Sequence, residues 1–388
     1  MPQAPLRAIL ATLAVAAGAA AQLRPARPES VGLSTAALQR AAGLLESQVR
    51  SGGMHAAALL VARNERIVLE KAFGRLSPAA GAPPVTPDSI FLLASITKPV
   101  TACAVMLMVE RGQIALSDPV ERYLPEFHGG ERGKVRVRDL LAHTSGLPDM
   151  LPENIELRRA HAPLSDFVKH ALSTPLLYTP GTSFRYQSMG ILLAGEIVER
   201  LSGTRLRDFE DREIFGLLGM KSSSLGLGGR QIRDLVACQE SANANPVDTE
   251  RFGANSSYWR DMGHPWGGMH STVRDLAVLL QTFLNGGSYG GHRLFSPATV
   301  RAMTSDQNGA VKSPWGLGWA LGRSVVWNAF GDLVSPETFG HAGATGTVAW
   351  ADPRTQLVCV LLTSRPYSVD DGRLLRLVSN TVAAAVHQ

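Results

Sequence analysis

The position of the strand-like runs constrains this chain more than any other feature. AAALLVARNERIVLEKAFG begins at residue 56 and reads as two strands, 56 to 62 and 66 to 73, joined by a polar Asn64-Glu65 turn. The next segments of strand character are WGLGWAL, TFGHAGATGTVAWAD and QLVCVLLTSR, all beyond residue 314. Between these ends the apolar spacing is helical, at 99–112, 137–142, 164–172, 189–202, 205–216 and 272–285, with an irregular stretch from about 221 to 268. Helices are also expected at 35–50 and 371–385. The economical way for strands at both ends of a chain to share one core is a single sheet assembled from both. The expected architecture is therefore α/β (α+β): an antiparallel sheet built from both chain ends, flanked by helices, with a mostly helical inserted subdomain. Its boundaries fall at about 30–90 plus 312–388 for the sheet part and 91–311 for the helical part.

The composition supports a folded core without staples. Of 388 residues, 45% are hydrophobic and 18% charged, which is globular rather than disordered. Cys103, Cys238 and Cys359 are far apart, fit no metal-ligand spacing and define no disulfide framework. The histidines form no His-Glu-x-x-His pattern, so neither a metal nor another cofactor is expected. The net charge of +5 is spread along the chain, with no basic run interleaved with aromatics, so a nucleic-acid partner is not expected.

The first 21 residues read as a signal peptide. Arg7 supplies a positive start, Ala8 to Ala17 an apolar stretch, and Ala19-Ala20-Ala21 a small-residue cleavage site before Gln22. The run is shorter than the roughly 20 apolar residues that span a bilayer. An exported protein, periplasmic or secreted and without a transmembrane anchor, is the expectation.

The residues that carry chemistry begin at ASITKPVTACAVMLMVE. Ser95 and Lys98 stand three apart at the start of an apolar helix, hence on one face. A serine hydroxyl needs an adjacent base, and an ammonium can be that base only where burial lowers its pKa. Helix-start N–H groups also favour negative charge developing nearby. By itself Ser-x-x-Lys is common, and an N-cap beside a solvated lysine is its default explanation.

Two later motifs change the balance. Tyr186-Gln187-Ser188 lies in GTSFRYQSMG and His341-Ala342-Gly343 in FGHAGATGT. With Ser95-Ile96-Thr97-Lys98, their order and separation resemble the serine β-lactamase and penicillin-binding-protein superfamily, in particular the class C β-lactamase, D-aminopeptidase and serine esterase branch. DPVERYLPEF, RDLLAHTSGLP and WGGMHSTVRDLAVLLQTFLNGG extend the resemblance over roughly residues 30 to 385. It implies Ser95 as nucleophile of an acyl-enzyme, Lys98 as the group that orients it and removes its proton, and Tyr186 as the proton shuttle to the leaving group. The backbone N–H groups of Ser95 and Ala344 would form the oxyanion hole, with Gly343 admitting the substrate backbone to the strand edge.

Two departures bear on the substrate. Ser188 stands where many relatives have Asn, and His341 where typical β-lactamases have Lys. An imidazole with a pKa of about 6.5 is mostly neutral at pH 7, which weakens any fixed cation for a substrate carboxylate. The expected substrate is a small ester, amide or β-lactam, or a cell-wall-type peptide. Alternatives are a β-lactamase, a D-amino-acid peptidase or a non-catalytic penicillin- or peptide-binding relative. His143 and Ser145 are close in sequence, yet the stretch reads as a structural turn. Trp259, Trp266, Trp315 and Trp319 could line a cleft or fill a core.

Overall fold

The computed structural model describes residues 22–240, 245–324 and 329–387. The signal peptide expected at residues 1–21 lies outside them.

Strand β2 (Ala56–Arg63) and strand β3 (Arg66–Gly74) form the expected hairpin, with Asn64 and Glu65 both at positive φ in the turn. They join Ala320–Leu321, Phe339–Gly343, Thr347–Asp352 and Leu357–Thr363 in one seven-stranded sheet. The central seam pairs β2 with Leu357–Thr363, antiparallel, Val61 opposite Cys359. The two chain ends thus meet in the middle of the sheet.

Every residue of β2 is buried, which explains why AAALLVAR shows no polar alternation. Successive side chains of a strand point to opposite faces. Ala57, Leu59 and Val61 pack with Leu38, Leu45 and Val378, whereas Ala58, Leu60 and Ala62 join Leu276, Leu280 and Phe283. Helix α1 (Thr35–Arg50) and Arg373–Ala383 therefore cover one face, and Val273–Leu284 the other. The α1 helix begins where Ser34 accepts the Ala37 N–H, and it buries Ala37, Leu38, Ala41, Ala42 and Leu45 at helical spacing.

One expectation needs correction. The sheet is mixed and not purely antiparallel: an edge strand β1 (Arg24–Pro25) runs parallel to Arg66–Ile67. Proline is tolerated there because an edge strand needs ladder bonds on one side alone. The helix expected at 205–216 is present, running through Leu206–Glu210, a π-turn at Asp211–Phe215 and Gly216–Leu218 without a break.

Helix α2 (Thr97–Glu110) is buried from Thr97 through Met108 and runs on from a 3-10 turn at Ala94–Ile96. No helix among the described residues is long and apolar enough to cross a membrane.

Candidate active site

Three loops and one strand carry the site. The turn ahead of α2 is held firmly. Leu93 donates its N–H to the Met269 carbonyl at 2.9 Å. The carbonyls of Leu92 and Leu93 accept the Thr345 and Thr347 hydroxyls, each at 2.8 Å. Thr97 bridges the Ala94 carbonyl, at 2.7 Å, and the Met269 N–H, at 3.0 Å. Ala94 has a φ of 50°, an uncommon value for a residue with a Cβ. These bonds offset the strain and fix Ser95, which follows it, against the hairpin that carries Ala344.

Lys98 is fully buried, and its Nζ donates to Ser95 Oγ and to the Trp266 carbonyl, both at 3.0 Å. It also lies 4.7 Å from the centre of the Tyr186 ring. Burial lowers the Lys98 pKa to about 7, against an opposing pull from the Asp149 charge. The helix thus presents an amine that is half neutral at neutral pH. Tyr186 moves the other way. Burial drives its pKa well above the usual 10, and a hydrogen bond with Ser95 only partly offsets this. Tyr186 is therefore a phenol at rest and not a phenolate.

The stretch 143–149 positions Tyr186. Arg185 donates its N–H to the His143 carbonyl at 3.0 Å, and Ser188 to the Asp149 carbonyl at 3.2 Å. Gln187 donates its N–H to His143 Nδ1 at 3.3 Å and accepts the Ser145 hydroxyl at 2.6 Å. His143 and Ser145 are thus both engaged with the Tyr186 loop, as a structural turn requires. The rings of His143 and Trp315 lie 4.7 and 5.9 Å from that of Tyr186.

The remaining expected residues separate. Ser95, Tyr186, Ser188 and Ala344 line a cavity of about 580 Å³. His341 does not line it. His341 is fully buried, its Nδ1 is 2.7 Å from the Ala342 carbonyl, and burial together with Lys98 lowers its pKa to about 3. The reason for glycine at 343 also differs from the expected one. A Cβ there would lie 2.1 Å from the Leu93 carbonyl and 2.3 Å from Thr347 Oγ1, so the protein's own backbone occupies that space. Trp259 and Trp266 line the cavity, while Trp315 and Trp319 are buried in the core.

Sequence reasoning missed three wall residues. Asp149 accepts the Ser188 hydroxyl at 2.6 Å. Arg158 lies 3.8 Å over the Trp259 ring and donates to the Phe252 carbonyl at 2.6 Å. His264 stacks on Trp266 at 4.5 Å and is held neutral by burial. Asp149 closes the HTSGLPD stretch that was read only as a turn, so its place was visible but its direction was not.

With this geometry in view, comparison with known proteins is decisive for the family. A family model described as Beta-lactamase matches residues 41–383. The chain belongs to the Beta-lactamase family. As a Beta-lactamase-family protein it is a hydrolase. A relative from Salmonella agona (strain SL483), named "Putative D-alanyl-D-alanine carboxypeptidase", is 30% identical over 377 residues, covering 89% of this chain and 87% of the relative. A penicillin-binding protein homologue from Caulobacter crescentus superposes with a TM-score of 0.75 at 23% identity, covering 92% of this chain and 99% of its own. A family VIII carboxylesterase superposes with a TM-score of 0.73 at 21% identity, covering 91% and 99%. These two likenesses show that the chain shares the fold of both proteins.

Proposed function

We propose that this protein is an exported serine hydrolase that forms an acyl-enzyme on Ser95 and cleaves a small ester or amide. The observation that carries the reading is the 3.0 Å contact between Lys98 Nζ and Ser95 Oγ, with the amine buried and its pKa near 7. Neutral Lys98 takes the Ser95 proton as Oγ attacks the acyl carbon. The N–H groups of Ser95 and Ala344 stabilise the oxyanion. As the tetrahedral intermediate collapses, the Tyr186 phenol gives its proton to the leaving alkoxide or amine and recovers one from Lys98. Water then attacks the acyl-enzyme and gives one proton to Lys98, which passes it to Ser95 Oγ as the acyl–Oγ bond breaks, so that the acid leaves and both neutral Lys98 and the Ser95 hydroxyl are restored. Export rests on the pattern of residues 1–21.

A D-amino-acid peptidase or β-lactamase is the second reading, favoured by the name of the Salmonella relative. Against it, His341 is neutral and buried, so that strand offers no fixed cation to a substrate carboxylate. A non-catalytic ligand-binding relative is a third.

The test is Ser95→Ala against a p-nitrophenyl ester, with mass spectrometry of the wild type after a fluorophosphonate and a β-lactam. Turnover falling below detection in the variant, with a wild-type adduct on Ser95, is expected. Full activity in the variant removes the mechanism, and no adduct with either reagent favours the binding relative.

A further inference from the structure

The cavity wall carries three carboxylates, and they are not equivalent. Asp248 is paired with Arg159 at 3.1 Å. Glu240 receives the Asn255 amide at 3.0 Å, and burial raises its pKa. Asp149 is exposed, and among the described residues it has no arginine, lysine or histidine within ion-pair distance. Its one side-chain partner is the Ser188 hydroxyl, which leaves the charge in place. Arg158, the cavity's wall cation, is held by Trp259 and the Phe252 carbonyl. The cavity that Ser95 lines therefore carries Asp149 as a carboxylate with no ion-pair partner among the described residues.

We propose that Asp149 is a specificity-determining residue that disfavours substrates with a carboxylate in the acyl group and favours neutral or cationic ones. This rests on the reading of Ser95 as nucleophile. It gives Ser188 a task as well: the hydroxyl holds the carboxylate against the cavity wall, where an asparagine would offer its own amide instead. The same charge acts on the base. Lys98 is faced by Asp149 from the 143–149 stretch, by Tyr186, and by the neutral imidazoles of His143, His264 and His341. Asp149 is the one anion in that set, and it favours the protonated amine. Its removal therefore makes Lys98 available at lower pH, so a variant at the wall gains relative activity in acid.

The experiment compares wild type with Asp149→Asn and Asp149→Ala on three p-nitrophenyl esters: butyrate, hemisuccinate and 4-trimethylammoniobutyrate. In wild type the hemisuccinate is expected to be the poorest substrate by kcat/KM. In both variants the hemisuccinate-to-butyrate ratio rises about tenfold and any cationic preference falls, as removing one nearby unit charge requires. The rate of Ser95 labelling by a neutral fluorophosphonate is followed against pH alongside. Its acidic limb moves to lower pH in the variants, which a merely structural role for Asp149 would not produce. An unchanged ester ratio with wild-type labelling intact overturns the Asp149 assignment alone. Absence of labelling in wild type overturns the acyl-enzyme reading, and this proposal with it. Circular dichroism and melting curves establish that each variant is folded; if one unfolds, the other decides.

Discussion

Lys98 at the start of α2 and His341 on the strand Phe339–Gly343 both pack against the Tyr186 ring, at 4.7 and 5.9 Å, and both are fully buried. Burial acts on them in the same direction, since desolvation disfavours the charged form of any cation. The outcome differs because the starting points differ. Lys98 descends from 10.5 to about 7 and becomes a usable base at neutral pH. His341 descends from 6.5 to about 3 and drops out of proton chemistry. One environment thus creates a base on one element and removes a switch on the other.

The largest break in this comparison comes from deleting Lys98, the amine proposed as the base. Lys98→Met should lose roughly 10³-fold in kcat/KM, within the usual range for removing a general base. The residual rate should no longer vary with pH between about 5.5 and 8. A residual rate that still climbs through pH 7 would place the titrating group elsewhere.

The wild-type profile is the next test. Below about pH 7 the buried amine is protonated and has no lone pair to accept the Ser95 proton. The sign is therefore fixed: kcat/KM rises with pH through about 7, and falls close to tenfold for each pH unit below it. A profile centred near pH 10 would mean that Lys98 keeps the titration of a solvated lysine.

A smaller effect is expected at the cavity wall. Trp259→Ala removes the ring under Arg158 and part of the apolar lining. For an ester with a bulky acyl group, KM should rise about tenfold, or ~1.4 kcal/mol, with kcat largely kept. A loss confined to kcat would move Trp259 from the wall to the reacting centre.

What could be read in the sequence follows the same division. Strands β2 and β3, helix α1 and the helix of Lys98 were legible because apolar period is a local property, and Asn64-Glu65 marks its own turn. The motif residues Ser95, Lys98 and Tyr186 were legible through their order along the chain. The short edge strand β1 was not, since Arg24-Pro25 has no strand signal and gains its pairing only from β3. Asp149 and Arg158 were missed for a related reason. Their roles depend on which way two loops point, and that is set by long-range bonds such as Ser188 N–H to Asp149 and Arg158 to Phe252. His341 was visible as a departure, but its neutrality comes from complete burial, which no local pattern shows.

The smallest expected change is the sharpest test of that last point. A histidine already neutral across the working range contributes no charge to Lys98, however near it lies. His341→Asn should therefore leave the acidic limb of the pH profile within about 0.3 pH units of wild type, whatever it does to the amount of folded protein. The midpoint of a profile does not depend on the concentration of active enzyme when the folded fraction is the same at every pH, which circular dichroism across the same pH range checks. A limb that moves upward in this variant would show that His341 carries a proton at neutral pH and lowers the Lys98 titration as a cation. The two buried residues would then be coupled partners, and the third motif would share in setting the base.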